Sequence, residues 1–192
     1  MAGDRTTRRA VARHAAAFAA SAWRTGRLAT HGDLRTAPEH VGHWLTFSDG
    51  SRSQVYRETV RLHAATSDPA LLVAAFELPL VGTRGFFHTL FRPVSMVNTP
   101  LFAGFPGFRS KLWLTDLRTG VYRGAYQWDG PRRADDYAVT LTALLRPLCH
   151  RGSVAYHVHP GVWRDDFLRE PAMIGVPTRP DDRWWRLQEA MA

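Results

Sequence analysis

The stretch PGFRSKLWLTDLRTGVYRGAYQWDGPRRADDYAVTLTALLRPLCHRGSVAYHVH, residues 106–159, decides the fold. Phe108 to Thr115 reads as a strand, Asp116 to Gly120 as a turn, and Val121 to Trp128 as the returning strand. Asp129-Gly130-Pro131 then opens a helix, with proline at the first turn, where its missing N–H removes no hydrogen bond. Ala134, Tyr137, Leu141, Leu144 and Leu148 fall on one face of that helix. Gly152 follows it, and Val154 to His159 reads as a closing strand.

Working outward, Ala70 to Leu78 is a continuous apolar run, suited to a central strand buried on both faces. Pro79 stops it. Thr83 to Arg92 is a short helix candidate, and Val94 to Phe105, bounded by Pro93 and broken by Pro100, reads as irregular. The order is β-α-β-β-α-β, the ferredoxin-like pattern of the α+β class. Further upstream, Val41 to Phe47 and Arg52 to Leu62 flank Asp49-Gly50, a two-residue hairpin turn. Thr6 to Arg24 reads as an amphipathic helix with Val11, Ala15, Phe18 and Ala22 on one face, ended by Gly26 and a polar segment to His40. The tail from Gly161 is interrupted by prolines and holds one more short helix candidate, Asp181 to Met191. Trp163, Trp184 and Trp185 predict that the tail packs onto something. The chain therefore divides into an N-terminal helix and linker (1–40), a main domain including the added hairpin (41–160) and a C-terminal tail (161–192).

Composition narrows the classes. With 192 residues the chain suits one decorated domain, and its 45% hydrophobic residues are ordinary for a folded protein. The formal charge is +8 and the pI about 10.7. Lys111 is the only lysine, so the other cations are arginines, and these are spread along the chain. A nucleic-acid footprint concentrates on one element, so nucleic acid is not an expected partner. Arg and Ala usage points instead to the bias of a GC-rich bacterial genome. Cys149 is the only cysteine, which excludes an internal disulfide and fits a reducing cytoplasm. No run of about 18 apolar residues predicts a membrane span.

Three motifs carry a family likeness: Pro106-Gly-Phe-Arg-Ser-Lys-Leu-Trp-Leu, Gly120-Val-Tyr-Arg-Gly-Ala-Tyr-Gln-Trp-Asp and Arg133-Ala-Asp-Asp-Tyr137. Together they resemble the YdhR-like monooxygenases of the dimeric α/β-barrel superfamily. The resemblance is close over Pro106 to Tyr137 and loose over Ala70 to His159. It implies a homodimer whose sheets enclose a pocket, and oxygenase chemistry on a small molecule. The extra N-terminal and C-terminal segments look like those of a longer relative that tailors polyketides in antibiotic biosynthesis.

In that architecture helices cover one sheet face, and the other face lines a pocket closed by the partner subunit. Leu112 and Leu114 suit the helix side, which sends Lys111 and Trp113 into the pocket with Arg109 at its mouth. Tyr122, Tyr126 and Trp128 share a face on the next strand with Gly124, which leaves room for a ligand or for packing. On the last strand His157 and His159 oppose Tyr156 and Val158, and the sequence leaves open which of the two sets faces the pocket. A histidine is a natural base toward a phenol or an acidic C–H, and His157 is the first choice. Lys111 or Arg109 holds the resulting oxyanion, and Trp113, Tyr126, Trp128 and Phe87 form apolar walls beside His159. His88 and Asn98 are further substrate contacts near the mouth.

The function expected from this set is a cofactor-independent tailoring enzyme acting on an aromatic or polyketide-type substrate, in which the carbanion reduces O2 directly. The alternatives are a cyclase, isomerase or lyase using the same pocket, and a non-catalytic ligand- or haem-binding barrel with His88 as axial ligand. No metal is expected: His157 and His159 have neither a third histidine nor a carboxylate near them in sequence. No glycine-rich nucleotide motif follows a strand.

Overall fold

The computed structural model describes residues 2–77, 99, 102–116, 118–174 and 183–192, with side chains from residue 12 onward. Its strands are β1 (Leu34–Ala37), β2 (Trp44–Phe47), β3 (Arg52–Arg61), β4 (Pro69–Glu77), β5 (Phe108–Thr115), β6 (Val121–Asp129), β7 (Ala155–Pro160) and β8 (Leu187–Met191). The helices are α1 (Ala2–Thr30), α2 (Pro131–Leu145) and α3 (Arg164–Arg169).

All the strand pairs are antiparallel, in the order β7-β4-β6-β5-β3-β2-β8, with β1 on the same edge of β3 as β2. The subset β7-β4-β6-β5, with α2 between β6 and β7, has the strand order of the βαββαβ unit, in which the first and third strands lie at the centre. β4 and β6 pair over their whole length, from Pro69 opposite Asp129 to Glu77 opposite Val121. The fold is therefore the ferredoxin-like α+β unit, widened by a hairpin on the β5 edge.

Period-two alternation divides the side chains between two faces. Ala70, Leu72, Trp113, Tyr126 and Trp128 lie on one, where Ala134, Tyr137 and Ala138 of α2 cover them. Leu71, Val73, Leu112, Leu114 and Ala125 lie on the other. The chain covers this second face with its own additions: Leu45 and Phe47 of β2, Phe167 of α3, then Ile174, Trp185 and Leu187. Each such buried side chain contributes roughly 1.5–3 kcal/mol of transfer free energy. β8 pairs with β2, while Trp185 just before it stacks on His157 of β7 with ring centroids 4.4 Å apart. The sheet thus curls until one indole bridges its two edges.

Several expectations are corrected. α1 runs through Gly26, where an added Cβ would meet nothing within 4 Å; a solvent-facing glycine costs a long helix only about 1 kcal/mol. Its inward face is Phe18, Ser21 and Thr25, while Ala15 and Ala22 face solvent. α2 stops at Leu145, leaving Leu148 57% exposed. The last element is a strand, not a helix, because the free edge of β2 offers Leu187–Met191 a backbone ladder. β1 lies in the segment read as a linker. The helix expected over 83–92 is outside the described residues.

Candidate functional site

The register of the sheet assembles the site. Thr59, Lys111, Tyr126, Leu72 and Val158 stand opposite one another across β3, β5, β6, β4 and β7, so they share the helix-side face. The next row on that face is Arg57, Trp113, Gly124, Ala74 and Tyr156. Lys111, Trp113, Tyr126 and Trp128 therefore do share a face, but it is the one α2 covers. The expected assignment of faces is reversed: Leu112 and Leu114 point away from α2, toward the face that Phe167 of α3 helps to cover. Both sets are apolar enough to be buried, so alternation alone gave no sign.

Lys111 is the chemical centre of this face. Its Nζ lies 3.2 Å from the centroid of the Trp113 ring, 4.6 Å from that of Phe102 and 4.7 Å from that of Tyr126. The residue is buried, and among the described residues no carboxylate is paired with it. Burial, and then the nearby positive charge of Arg57, hold its amine well below the usual 10.5. The aromatic faces favour whatever ammonium remains. Trp113 is fixed by an Nε1–H bond to Thr59 Oγ1 at 3.1 Å, and the Arg57 guanidinium lies 5.2 Å from its ring centroid. Phe102 packs edge-on against Trp113, Tyr126 and Phe108, so the turn containing it closes one side of the cage.

Gly124 leaves no ligand space of its own. A Cβ there would lie 2.5 Å from Tyr126 Cε2, so the missing side chain makes room for the tyrosine ring. Trp128 is fully buried between Phe108 and Tyr137.

The histidines stand elsewhere. His157 is opposite Val73 and His159 opposite Leu71, on the face away from α2. The expectation that His157 and Lys111 share one pocket is corrected: the sheet lies between them. The two imidazoles are tilted against each other with centroids 4.3 Å apart, and Trp185 lies against both. Burial, and then the neighbouring His157, lower His159 to about 4. Its Nε2 is buried without a hydrogen-bond partner among the described residues.

Arg109 is occupied as well. It bonds Thr66 Oγ1 at 3.1 Å and the Ala65 carbonyl at 2.5 Å, and pairs with Asp129 at 3.3 Å, stapling the loop before β4 to the end of β6. Phe87, His88 and Asn98 lie outside the described residues. Among the described residues no group of three or more His, Cys, Asp or Glu side chains is arranged to hold a metal ion. No helix among them is long and apolar enough to cross a membrane.

Three residues of the Lys111 site escaped sequence reasoning: Arg57, Thr59 and Phe102. Arg57 and Thr59 arrive through the pairing of β3 with β5, a long-range register without a local signal. Phe102 sits in a proline-bounded stretch that has no periodicity to read.

No family model matches this chain, and no curated protein matches it. Among solved structures it is similar to an uncharacterized ferredoxin-fold protein from Listeria monocytogenes related to antibiotic biosynthesis monooxygenases. That likeness has 14% identity over 58% of this chain and 64% of the other, with a TM-score of 0.41. It is also similar to a heme-degrading enzyme of Listeria monocytogenes (14% identity, 65% and 95% covered, TM-score 0.40). A monooxygenase-like protein of Listeria innocua gives 12% identity, 59% and 67% covered, and a TM-score of 0.39. The strand order and register described above stand independently of these likenesses.

Proposed function

We propose that the helix-side face around Lys111 is the reaction centre of a cofactor-independent tailoring monooxygenase acting on an aromatic, polyketide-type small molecule. The observation that supports this is a lone buried amine, depressed in basicity, walled by three aromatic rings. An amine whose basicity burial has lowered is a competent general base.

In this reading the Lys111 amine takes a proton from an activated methylene or phenol. The ammonium so formed is stabilised by the Trp113, Phe102 and Tyr126 faces and by the enolate it has made. The enolate donates electrons to O2. A CH2 group and O2 give a carbonyl and water, so the substrate loses four electrons and O2 gains four, and the lysine proton returns to the departing oxygen. Lys111 takes over the role first given to His157, because the histidine lies across the sheet.

The test is oxygen uptake with an aromatic substrate bearing an activated methylene, run with 18O2. One labelled atom in the product and one O2 per turnover support the reading. The same product under nitrogen shows a cyclisation or isomerisation at the same base. Turnover unchanged in Lys111→Met removes Lys111 from the chemistry.

A further inference from the structure

A second cleft, outside the Lys111 cage, is lined by several arginines. It is an open cavity of about 420 Å³ between the C-terminal end of α1, the strand pair β1–β3 and the turn around Phe105. Arg24 and Arg27 enter it from α1 and Arg61 from the end of β3, with His31 beside them. Among the described residues none of the three guanidiniums is paired with a carboxylate. Arg24 donates only to the Gly104 carbonyl at 3.2 Å, and Arg61 keeps a buried Nε without a partner. The one acid on the lining, Asp33, faces His63 at 3.7 Å.

Arginines gathered on one cleft with no paired carboxylate are costly for a fold. Arg61 already opposes Arg109, which is felt as repulsion at the latter. A helix C-terminus favours cations, which accounts for Arg27 in the last turn of α1 but not for Arg61 on a strand. The backbone there is closed: the amides of His31, Gly32 and Asp33 bond the carbonyls of Arg27, Ala29 and Leu28. Those carbonyl oxygens are engaged and present little negative charge to an entering ligand. The other wall is apolar, formed by Leu28 and the Phe105 ring, itself locked edge-on against Phe18 and Tyr137.

We propose that this cleft binds a phosphate ester, its dianionic head held by Arg24, Arg27 and Arg61 and its organic part laid against Phe105. A phosphate dianion suits three guanidinium forks lining one cleft from two elements better than a single carboxylate does. The turn that carries Phe102 into the Lys111 cage carries Phe105 into this cleft, and the two sites have no side chain in common.

The test is calorimetric titration of the full chain with phenyl phosphate and, separately, with inorganic phosphate at low salt. Phenyl phosphate binds several-fold more tightly than phosphate if Phe105 receives the ring. Arg27→Glu, at an exposed helix position that does not threaten folding, weakens both by tenfold or more. Arg27→Lys keeps most of the affinity, and Arg61→Gln lowers it. Arg52→Gln, at an arginine stacked over Trp44 outside the cleft, leaves it unchanged. Equal affinity for the two probes overturns the ester. Binding indifferent to Arg27→Glu and Arg61→Gln, or no heat at millimolar ligand, overturns the site. A short RNA that binds and loses affinity equally on Arg52→Gln and Arg27→Glu marks a diffuse cationic surface in its place.

Discussion

Replacing Arg164 by methionine tests what holds the C-terminal tail on the sheet. Arg164 Nη1 donates to Glu58 Oε1 at 2.7 Å, and its backbone N–H donates to Gln127 Oε1 at 2.6 Å. Glu58 has no exposed surface, and its other oxygen accepts from His40 Nδ1 at 2.9 Å. Methionine fills the space of the arginine stem but leaves the Glu58 carboxylate buried with only His40 beside it. Removing one partner of a buried pair costs about 3–5 kcal/mol. A chain of this size loses roughly 2–4 °C of Tm per kcal/mol, so the variant melts about 6–20 °C lower. Glu58→Gln is milder, because Arg164 keeps Asp165 Oδ1 at 3.0 Å at the solvent edge. The double variant Glu58→Leu/Arg164→Met recovers most of the loss, since no charge is left buried. Acid modulates the effect. Burial pushes the Glu58 carboxyl up, but the His40 hydrogen bond and the Arg164 charge outweigh it and hold it below its usual 4.5. The contribution of the pair is therefore complete above 4.5 and fades as pH falls through the lower folded value. Urea unfolding followed by tryptophan fluorescence at pH 7 and in acid measures all three variants. A loss under about 1 kcal/mol for Arg164→Met at pH 7, or a double variant no better than the single, refutes the reasoning.

Other outcomes follow from the same geometry. His159 sits at about 4 when folded against an ordinary 6.5, so the unfolded chain binds more protons between those values. Stability then falls as pH drops from 6.5 to 4, by up to about 3 kcal/mol, and His159→Leu flattens that part of the profile. Lys111→Met raises Tm at pH 7 and removes the gain in stability that the wild type shows as pH rises toward 10.5, because the folded amine is depressed and the unfolded one is not. Gly104→Ala places a Cβ 2.0 Å from the Ser21 carbonyl oxygen, forcing α1 off the turn; thermal melting shows a loss of about 1–3 kcal/mol or more. Light scattering tests the expected homodimer: the mass of one chain, 21.6 kDa, is the outcome if the tail's cover of the second face takes the place of a partner subunit. A mass twice that restores the homodimer through another surface.

Much of the fold was legible because its signals are local. The strands β2 to β7 and the start of α2 follow from apolar runs and alternation, Asp49-Gly50 and Pro131. Alternation also put Lys111 with Trp113, and Tyr126 with Trp128. Edge pairing was not legible: Leu34–Ala37 and Leu187–Met191 became strands only because β3 and β2 offered them backbone partners. The C-terminal segment has no period strong enough to resist that ladder.

By itself the sequence determined the order of strands β2 to β7 and of α2, and which side chains of each strand travel together, since both depend on spacing along the chain. Only the tertiary structure decided which of those sets meets the helices. Leu112 and Leu114 are as buriable as Trp113, so the choice rests on the volume and shape that α2, Phe102 and the returning tail bring to each face. That choice placed Lys111 in its aromatic cage and set His157 and His159 beneath Trp185, on the opposite side of the sheet.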